Sequence, residues 1–310
     1  MKERAKQNRT LTLTPEEEKR LVSQLSKANG IVFPEQIIDR ILCQDLMEAL
    51  PLLPEQFADL LVIDPPYNIA RNFGRMKTAR QSDEAYLEYV MTWLPPTLRW
   101  LKPDGSVYVC CDWASSPVIY QALKDCGVTI RNRITWQREK GRGASNNWKN
   151  GMEDIWYGVA DPKHFYFDVD AVKLKRTVIA PYRDTNGAPK DWEESDGGKF
   201  RLTCPSNFWD DISIPFWSMP ENTDHPTQKP EKLLAKLILA SCPEGGVVAD
   251  PFLGSGTTAV TACKLNRHYM GIELNPQYAA WALRRLEMAA NDHRIQGFSD
   301  GVFWERNAQK

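Results

Sequence analysis

Four short apolar runs in this sequence each end in a carboxylate, and this recurrence constrains the fold more than any other feature. The runs are Leu60–Ile63 before Asp64, Ser106–Cys111 before Asp112, Val247–Ala249 before Asp250, and Tyr269–Ile272 before Glu273. Continuously apolar strands are typical of a parallel sheet buried on both faces, and ligands of such sheets bind beyond the carboxyl ends of the strands. The runs therefore predict a buried sheet with a polar site along one edge.

Helical segments lie between these runs. Residues 83–100 form one, and Pro230–Ser241 forms another that carries leucines at core spacing. Alternating strands and helices predict an α/β fold, doubly wound around a mostly parallel sheet. An earlier helix is predicted over about 15–28, because Thr14 and Glu17 match a capping box.

The alternation stops between residues 161 and 220, where Asp, Gly, Pro and aromatic residues dominate. We expect this stretch to be an inserted, loop-rich region with a few β segments, and by its position the target-recognition region. The core is then formed by 36–160 and 221–295. Residues 1–35 are expected to form an N-terminal helical extension, and 296–310 a C-terminal tail.

The segment Asp64-Pro65-Pro66-Tyr67 directly follows the first of these strands. Two consecutive prolines lack N–H donors, so nearby carbonyls stay free as acceptors. The Asp64 carboxylate and the Pro65 carbonyl can accept hydrogen bonds from the amino group of a planar base, while Tyr67 stacks on its ring. An Asp-Pro turn followed by a packed tyrosine is the alternative interpretation.

A glycine turn follows the third strand, in the segment Asp250-Pro251-Phe252-Leu253-Gly254-Ser255-Gly256-Thr257-Thr258. Glycines let a ligand approach the backbone, and the helix start offers free N–H groups. Glu273 ends the next strand, where a carboxylate can bind ribose hydroxyls. The third glycine of the dinucleotide fingerprint is missing, so a nucleoside-containing cofactor other than NAD is favoured. A tight strand-to-helix connection is the alternative.

A third segment, His225-Pro226-Thr227-Gln228-Lys229-Pro230, precedes an amphipathic helix. Thr227 can cap this helix and Lys229 can pair with a ligand carboxylate, although a proline-rich helix entry explains the segment too. The four histidines are isolated in sequence, and we expect each of them at the surface or at a helix end. No metal site is predicted.

In their order along the chain, residues 64–67, then 225–230, then 250–258, the three segments resemble the β class of S-adenosylmethionine-dependent DNA amino-methyltransferases. That class has a Rossmann-like methyltransferase core with a permuted motif order, in which the catalytic motif comes first and the cofactor half last. The resemblance implies methyl transfer to the exocyclic amine of a flipped adenine (N6) or cytosine (N4) in duplex DNA. Asp64 at the first motif position favours adenine, because serine there is more typical of the cytosine-N4 group.

The resemblance also implies roles for individual residues. The base pocket is formed by Asp64, Pro65, Pro66 and Tyr67. The S-adenosylmethionine site comprises Asp45 near the adenine, Thr227 and Lys229 at the methionine end, and Asp250, Phe252, Gly254, Gly256, Thr257 and Glu273. The family further implies a site-specific modification enzyme of a restriction-modification system or an orphan methylase. A cognate restriction endonuclease as genetic partner and a homodimer are then expected.

Residues 131–150 carry a local excess of basic charge in an otherwise neutral chain. Basic groups contact phosphates and amides read base edges, so this run predicts a DNA-binding surface. Its predicted contacts are Arg131, Arg133, Arg138, Lys140, Arg142, Asn146 and Lys149. A solvated charged loop is the alternative interpretation.

The composition of the chain limits its binding partners and its cellular location. Lys+Arg 39 against Asp+Glu 40 gives a formal charge of -1, so a polyanion must bind a local patch. Seven cysteines without a C-x-x-C pair, and no run able to cross a bilayer, predict a cytoplasmic protein with no membrane partner. Two other functions remain as alternatives. A nucleotide-dependent oxidoreductase could use the glycine turn, but it leaves residues 64–67 unexplained. A nucleic-acid-binding module without catalytic activity would not need both the motif at 64–67 and the motif at 250–258.

Overall fold

The computed structural model of the chain describes residues 5–69, 71–73, 76–78, 80–138, 145–179, 182–195 and 198–306. Its helices are α1 (Pro15–Val22), α2 (Pro34–Ile37), α3 (Leu46–Ala49), α4 (Asp83–Leu98), α5 (Ser116–Asp125), α6 (Glu231–Ser241), α7 (Thr257–Lys264) and α8 (Pro276–Ala289). Its strands are β1 (Arg40–Leu42), β2 (Ala58–Ile63), β3 (Arg71–Phe73), β4 (Met76–Thr78), β5 (Leu101–Cys111), β6 (Thr129–Gln137), β7 (Met152–Val159), β8 (Leu174–Thr177), β9 (Glu193–Ser195), β10 (Gly198–Thr203), β11 (Phe208–Trp209), β12 (Val247–Asp250), β13 (His268–Ile272), β14 (Phe298–Ser299) and β15 (Val302–Trp304).

Eight strands form the central sheet in the order β1-β13-β12-β2-β5-β7-β6-β11. The neighbours from β1 to β5 run parallel, whereas β7 is antiparallel to both β5 and β6. The predicted doubly wound α/β fold with a mostly parallel sheet is therefore confirmed. The four apolar runs of the sequence lie in β13, β12, β2 and β5, side by side in the middle of this sheet.

Alternate side chains of the central strands enter two different apolar cores. Leu61 of β2 packs in one core with Trp93 of α4, and its neighbour Leu60 packs in the other with Leu237 of α6. Burial on both faces explains why the middle strands are continuous apolar runs rather than alternating patterns.

Strands β2 and β12 lie side by side at the point where the strand order reverses. The chain leaves β2 for β5 on one side of it, and β12 later enters the sheet on the other side. Crevices at such switch points, beyond the carboxyl ends of the strands, are the usual ligand sites of open α/β sheets. Asp64 follows β2 and Asp250 ends β12, so both lie at this crevice.

Helix α1 is shorter than predicted, although its start is confirmed. Thr14 and Glu17 form the predicted capping box, but the helix ends at Val22 rather than near residue 28. The chain must extend early because Ser26 pairs with Leu42 beside β1. The later helices α4 and α6 lie close to their predicted bounds.

The inserted region contains the expected few β segments, but its sheet extends beyond it. Strands β8, β9 and β10 join β14 and β15 in a five-stranded sheet, in which Val302–Trp304 runs parallel to β8. The prediction of a C-terminal tail over residues 296–310 is thus wrong for its described part. Phe303 is fully buried and the Trp304 carbonyl accepts a hydrogen bond from Lys232 of α6. Such long-range pairing leaves no local sequence pattern.

In the part of the chain that the structure describes, no helix combines the length and the apolar character needed to cross a membrane.

Candidate active site

Three strands bring a carboxylate to one edge of the central sheet. Asp64 follows β2, Asp250 ends β12 and Glu273 follows β13, as the sequence predicts. These side chains line one cavity of about 610 Å³, which also includes Tyr67 and Gly254. The two predicted halves of the site therefore share a single space.

At the Asp64 end of this cavity, the hydroxyl of Tyr67 lies between the carboxylates of Asp64 and Glu153. It lies 2.8 Å from Oδ1 of Asp64 and 3.3 Å from Oε2 of Glu153. Burial and the two nearby carboxylates raise the pKa of Tyr67 well above its ordinary value. The Pro66 carbonyl accepts a hydrogen bond from Tyr86, which fixes the proline turn.

Lys229 occupies a position that the resemblance did not imply. Its ammonium lies 2.5 Å from Oδ2 of Asp64, 3.2 Å from the Tyr67 hydroxyl and 3.4 Å from Oε2 of Glu153. Burial acts to lower the pKa of Lys229, but the carboxylates of Asp64 and Glu153 outweigh it and raise this pKa. Lys229 is therefore the charged partner of the carboxylates of Asp64 and Glu153.

Glu153 is the member of this cluster that sequence reasoning did not place. It lies in β7 opposite Trp136 of β6, with its side chain almost fully buried, and it forms an ion pair with Arg138. The sequence signals were a match of Glu153 to a position of the resembled family, without an assigned role, and two adjacent acidic residues, Glu153 and Asp154, at the start of an otherwise apolar strand. A buried carboxylate of this kind needs charged or hydrogen-bonding partners, which Arg138, Lys229 and Tyr67 supply.

The glycine turn forms the other end of the cavity. Gly254 has a φ of +57°, and its N–H donates to Oε2 of Glu273 at 2.8 Å. A Cβ on Gly254 would lie 3.2 Å from the ring of His225. The other carboxylate oxygen of Glu273 accepts from the Asn275 N–H, so Glu273 is held rigidly at the cavity wall. Burial raises its pKa.

Asp250 organises the turn from beneath. Its carboxylate accepts hydrogen bonds from the Thr258 hydroxyl at 2.5 Å and from the Phe252 N–H at 2.9 Å. Burial raises the pKa of Asp250 to about 7, because these two donors only partly offset desolvation. Thr257 is buried beside the turn, where its hydroxyl accepts from Arg285. Both residues thus support the turn, although both also line the cavity.

Of the remaining predicted cofactor residues, Asp45, Thr227 and Phe252 line the same cavity. Gly256 does not line it and instead lies against Ala282 of α8. The carboxylate of Asp45 accepts a hydrogen bond from the Met47 N–H and so caps α3. Thr227 lines the cavity two residues after His225.

His225 was expected at the surface or at a helix end, but its ring lines the cavity, 4.5 Å from the ring of Tyr278. Burial, Lys229 and Arg285 lower the pKa of His225 to about 4, so its ring is neutral at pH 7.

The predicted DNA-binding residues differ in their surroundings. Residues 129–137 form strand β6 rather than a loop, and Arg131 and Arg133 are exposed on it. Asn146 and Lys149 are exposed as well, whereas Arg138 is turned inward to Glu153. The predicted contacts Lys140 and Arg142 lie outside the described residues.

Comparisons with known proteins agree with this geometry. A profile of the N6_N4_Mtase family, described as DNA methylase, matches residues 58–284. The Type II methyltransferase M.HpaI of Haemophilus parainfluenzae is 33% identical over 253 residues, covering 81% of this chain and 75% of that protein. The DNA adenine methyltransferase YhdJ of Escherichia coli (strain K12) is 32% identical over 253 residues, covering 80% and 82%. The solved M1.HpyAVI–SAM complex has the same fold, with a TM-score of 0.54 and 21% identity over 79% of this chain and 98% of that one.

Proposed function

This chain belongs to the N6/N4 family of DNA methylases, and from this we propose that it methylates the exocyclic N6 of a flipped adenine in duplex DNA, with S-adenosylmethionine as methyl donor. The observation that carries the proposal is the single cavity that joins Asp64 and Tyr67 to Gly254 and Glu273. A methyl transfer needs both reactants in one enclosed space, and this cavity brings the two motifs together.

The residues at the glycine end fit the proposed cofactor. A cavity of about 610 Å³ lies in the range that encloses a small ligand. Gly254 leaves the backbone open to a ligand, and the carboxylates of Asp45 and Glu273 line the wall as acceptors for hydroxyl and amino groups. Phe252, packed against the edge of Trp93, adds an apolar surface for a ring. The bound cofactor supplies a sulfonium methyl group, an electrophile that an amine can attack directly.

The residues at the base end orient the amine. The Asp64 carboxylate keeps acceptor capacity beyond its bonds to Lys229 and Tyr67, because a carboxylate has about four lone-pair sites. A hydrogen bond from the target amine to Asp64 aims the nitrogen lone pair toward the glycine end, which is catalysis by positioning and local electrostatics. The adenine must leave the duplex to reach this cavity, at a cost of a few kcal/mol.

Adenine is favoured over cytosine N4 by two observations. The tetrapeptide begins with Asp64, and the relative YhdJ, which is named a DNA adenine methyltransferase, is 32% identical over most of this chain. The fold does not discriminate the two amines, because both are exocyclic amino groups of planar rings. Cytosine-N4 methylation is therefore the second candidate activity, and base analysis of the product separates the two.

The exposed Arg131 and Arg133 support duplex DNA as the substrate, because they can contact phosphates. A role as the modification enzyme of a restriction-modification system is supported by relatives that are named Type II methyltransferases. Cleavage protection of DNA from cells that express the chain tests this role. A homodimer is proposed from the family resemblance alone, and sedimentation of the purified chain tests it.

Transfer of radiolabelled methyl groups to duplex DNA, followed by nucleoside analysis, tests the activity. We expect N6-methyladenine from the unsubstituted protein and none from Asp64→Asn, which keeps the size of the side chain but removes its charge. Equilibrium dialysis should show that Asp64→Asn still binds S-adenosylmethionine. Asp104→Asn, an exposed carboxylate in β5 outside the cavity, is the control. Undiminished transfer by Asp64→Asn would contradict the proposed base pocket.

A further inference from the structure

We propose that Glu153 is a positioning residue of the methyl-transfer site and that Arg138 is its fixed counter-ion rather than a phosphate ligand. The role rests on the proposed function, because it concerns how Asp64 and Tyr67 are presented to the target amine. Neither residue follows from the three motifs, since Glu153 lies in β7 and Arg138 directly follows β6, the strand that pairs antiparallel with β7.

Glu153 contacts both groups that bind the carboxylate of Asp64, the hydroxyl of Tyr67 and the ammonium of Lys229. Its Oε2 atom lies 3.3 Å from the Tyr67 hydroxyl and 3.4 Å from the Lys229 ammonium, and its Oε1 atom binds Arg138. The side chain of Glu153 is 5% exposed, so solvent screens these contacts little. Glu153 thereby fixes both groups that hold the Asp64 carboxylate.

The cluster is electrically balanced. It contains two carboxylates, Asp64 and Glu153, and two cations, Lys229 and Arg138. Because Glu153 shares the Lys229 ammonium, that ammonium does not act on Asp64 alone. Loss of the Glu153 charge would bind Lys229 more closely to Asp64 and weaken this carboxylate as an acceptor for the amine. The kinetic effect therefore falls on the chemical step.

Arg138 differs from the other arginines of the basic run. Its side chain is 26% exposed, against 55% for Arg133, and its guanidinium lies 5.8 Å from the ring centroid of the buried Trp136. If Arg138 moved to bind a DNA phosphate, the buried carboxylate of Glu153 would lose this ion pair. Removing one partner of a buried ion pair is strongly unfavourable. Arg138 is thus expected to stay on Glu153 when DNA binds.

The chain offers a matched control in the next residue of β7. Asp154 is as deeply buried as Glu153, but its carboxylate accepts from Thr135 and lies 3.8 Å from Arg133. Consecutive residues of a strand face opposite sides of the sheet, so Asp154 points away from Lys229. Asp154→Asn therefore removes an equally buried charge without touching the Asp64 cluster.

The first experiment compares Glu153→Gln with Asp154→Asn in methyl transfer, cofactor binding and thermal unfolding. For Glu153→Gln we expect kcat to fall about tenfold or more, with KM for DNA and Kd for S-adenosylmethionine within about threefold of the unsubstituted values. Asp154→Asn should lower Tm comparably but keep kcat within about twofold. An unchanged kcat in Glu153→Gln, or an equal kcat loss in Asp154→Asn, would overturn the inference.

The second experiment restores the charge balance. Arg138→Gln alone should lower kcat without changing the salt dependence of DNA binding. The double variant Glu153→Gln/Arg138→Gln should lose less than the product of the single losses, because the cluster is neutral again. Multiplicative losses, or a salt slope reduced by about 0.9 in Arg138→Gln, would overturn the counter-ion role. If the unsubstituted chain transferred no methyl groups, both the proposed function and the roles of Glu153 and Arg138 would be overturned. The variant results described here bear only on the roles of Glu153 and Arg138.

Discussion

The ammonium of Lys229 lies 2.5 Å from the carboxylate of Asp64, although the two residues are 165 positions apart in the chain. The resemblance assigns Lys229 to the methionine end of the cofactor, and in this structure its ammonium contacts Asp64, for which we propose the role of binding the target amine. A buried cation there holds Asp64 in one orientation, and the two carboxylates beside it keep the cation protonated. The position of Lys229 makes it the charged partner of Asp64, the acceptor proposed for the target amine.

Removing the Lys229 charge should therefore affect catalysis more than cofactor binding. In Lys229→Met, Asp64 and Glu153 lose the cation between them, and mutual repulsion favours protonation of one carboxylate. A protonated Asp64 is a poor acceptor, so we expect kcat to fall about a hundredfold. Kd for S-adenosylmethionine, measured by equilibrium dialysis, should change by less than about threefold.

Lys102→Met is the control for this substitution, because Lys102 pairs with Asp59 of β2 at 2.8 Å, away from the cavity. Its kcat should stay within about twofold of the unsubstituted value. A cofactor Kd raised about tenfold or more in Lys229→Met, with kcat unchanged, would return Lys229 to the methionine end.

Asp250 should make the stability of the protein depend on pH. The folded state keeps this carboxyl protonated up to about pH 7, whereas the unfolded chain loses the proton near the ordinary value of 3.8. The free energy of unfolding therefore falls as pH rises between these two values. Asp250→Asn cannot ionise: its amide oxygen can accept from the Phe252 N–H, and its amide nitrogen can donate to the Thr258 hydroxyl in place of accepting from it. Its Tm relative to the unsubstituted protein should therefore rise from pH 5 to pH 8. A constant Tm difference would contradict the raised pKa.

Gly256 should tolerate no side chain. Its φ is +84°, and an added Cβ would lie 2.4 Å from the Cβ of Ala282 in α8. We expect Gly256→Ala to lower the free energy of unfolding by about 3 kcal/mol, from backbone strain and overpacking together. Gly245 has a φ of +73° but no atom within 4 Å of an added Cβ, so Gly245→Ala should cost only about 1 kcal/mol. Equal losses in urea denaturation would show that the contact with Ala282 contributes nothing.

Arg133 should contribute a phosphate contact that Arg138 does not. The exposed guanidinium of Arg133 can leave its 3.8 Å pairing with Asp154 at little cost. We expect Arg133→Gln to reduce the slope of log K against log salt by about 0.9, measured by DNA binding between low and moderate salt. Arg99→Gln, an exposed arginine paired with Glu55 outside the basic run, should leave the slope unchanged. An unaltered slope for Arg133→Gln would favour the solvated-surface interpretation.

Those parts of the fold that depend on local pattern were predictable. Buried parallel strands are continuous apolar runs, so the sequence alone locates the carboxyl ends of three strands, at Asp64, Asp250 and Glu273. Because these strands are neighbours, their carboxylates had to meet at one edge. The proline turn after Asp64 and the glycine turn after Asp250 therefore lie at this same edge of the sheet.

Contacts set by register between distant segments were not predictable. Glu153 is the second residue of β7, and β7 is antiparallel to β5 and β6. The start of β7 therefore lies beside the carboxyl ends of the parallel strands, and only this direction brings Glu153 to Tyr67. The arginines of the basic run have similar surroundings in sequence, and only pairing with a buried strand separates Arg138 from Arg133. Likewise, nothing near Val302–Trp304 indicates that it pairs with β8.

That pairing has a consequence for the order of folding during synthesis. Strand β8 leaves the ribosome early, but its neighbour β15 follows only after β12, β13 and the helices of the cofactor half. Until then one edge of β8 lacks its final partner and exposes unpaired backbone groups to other chains. Nascent chains released before β15 should therefore be more prone to aggregate than the full-length protein, even though every catalytic motif is already present.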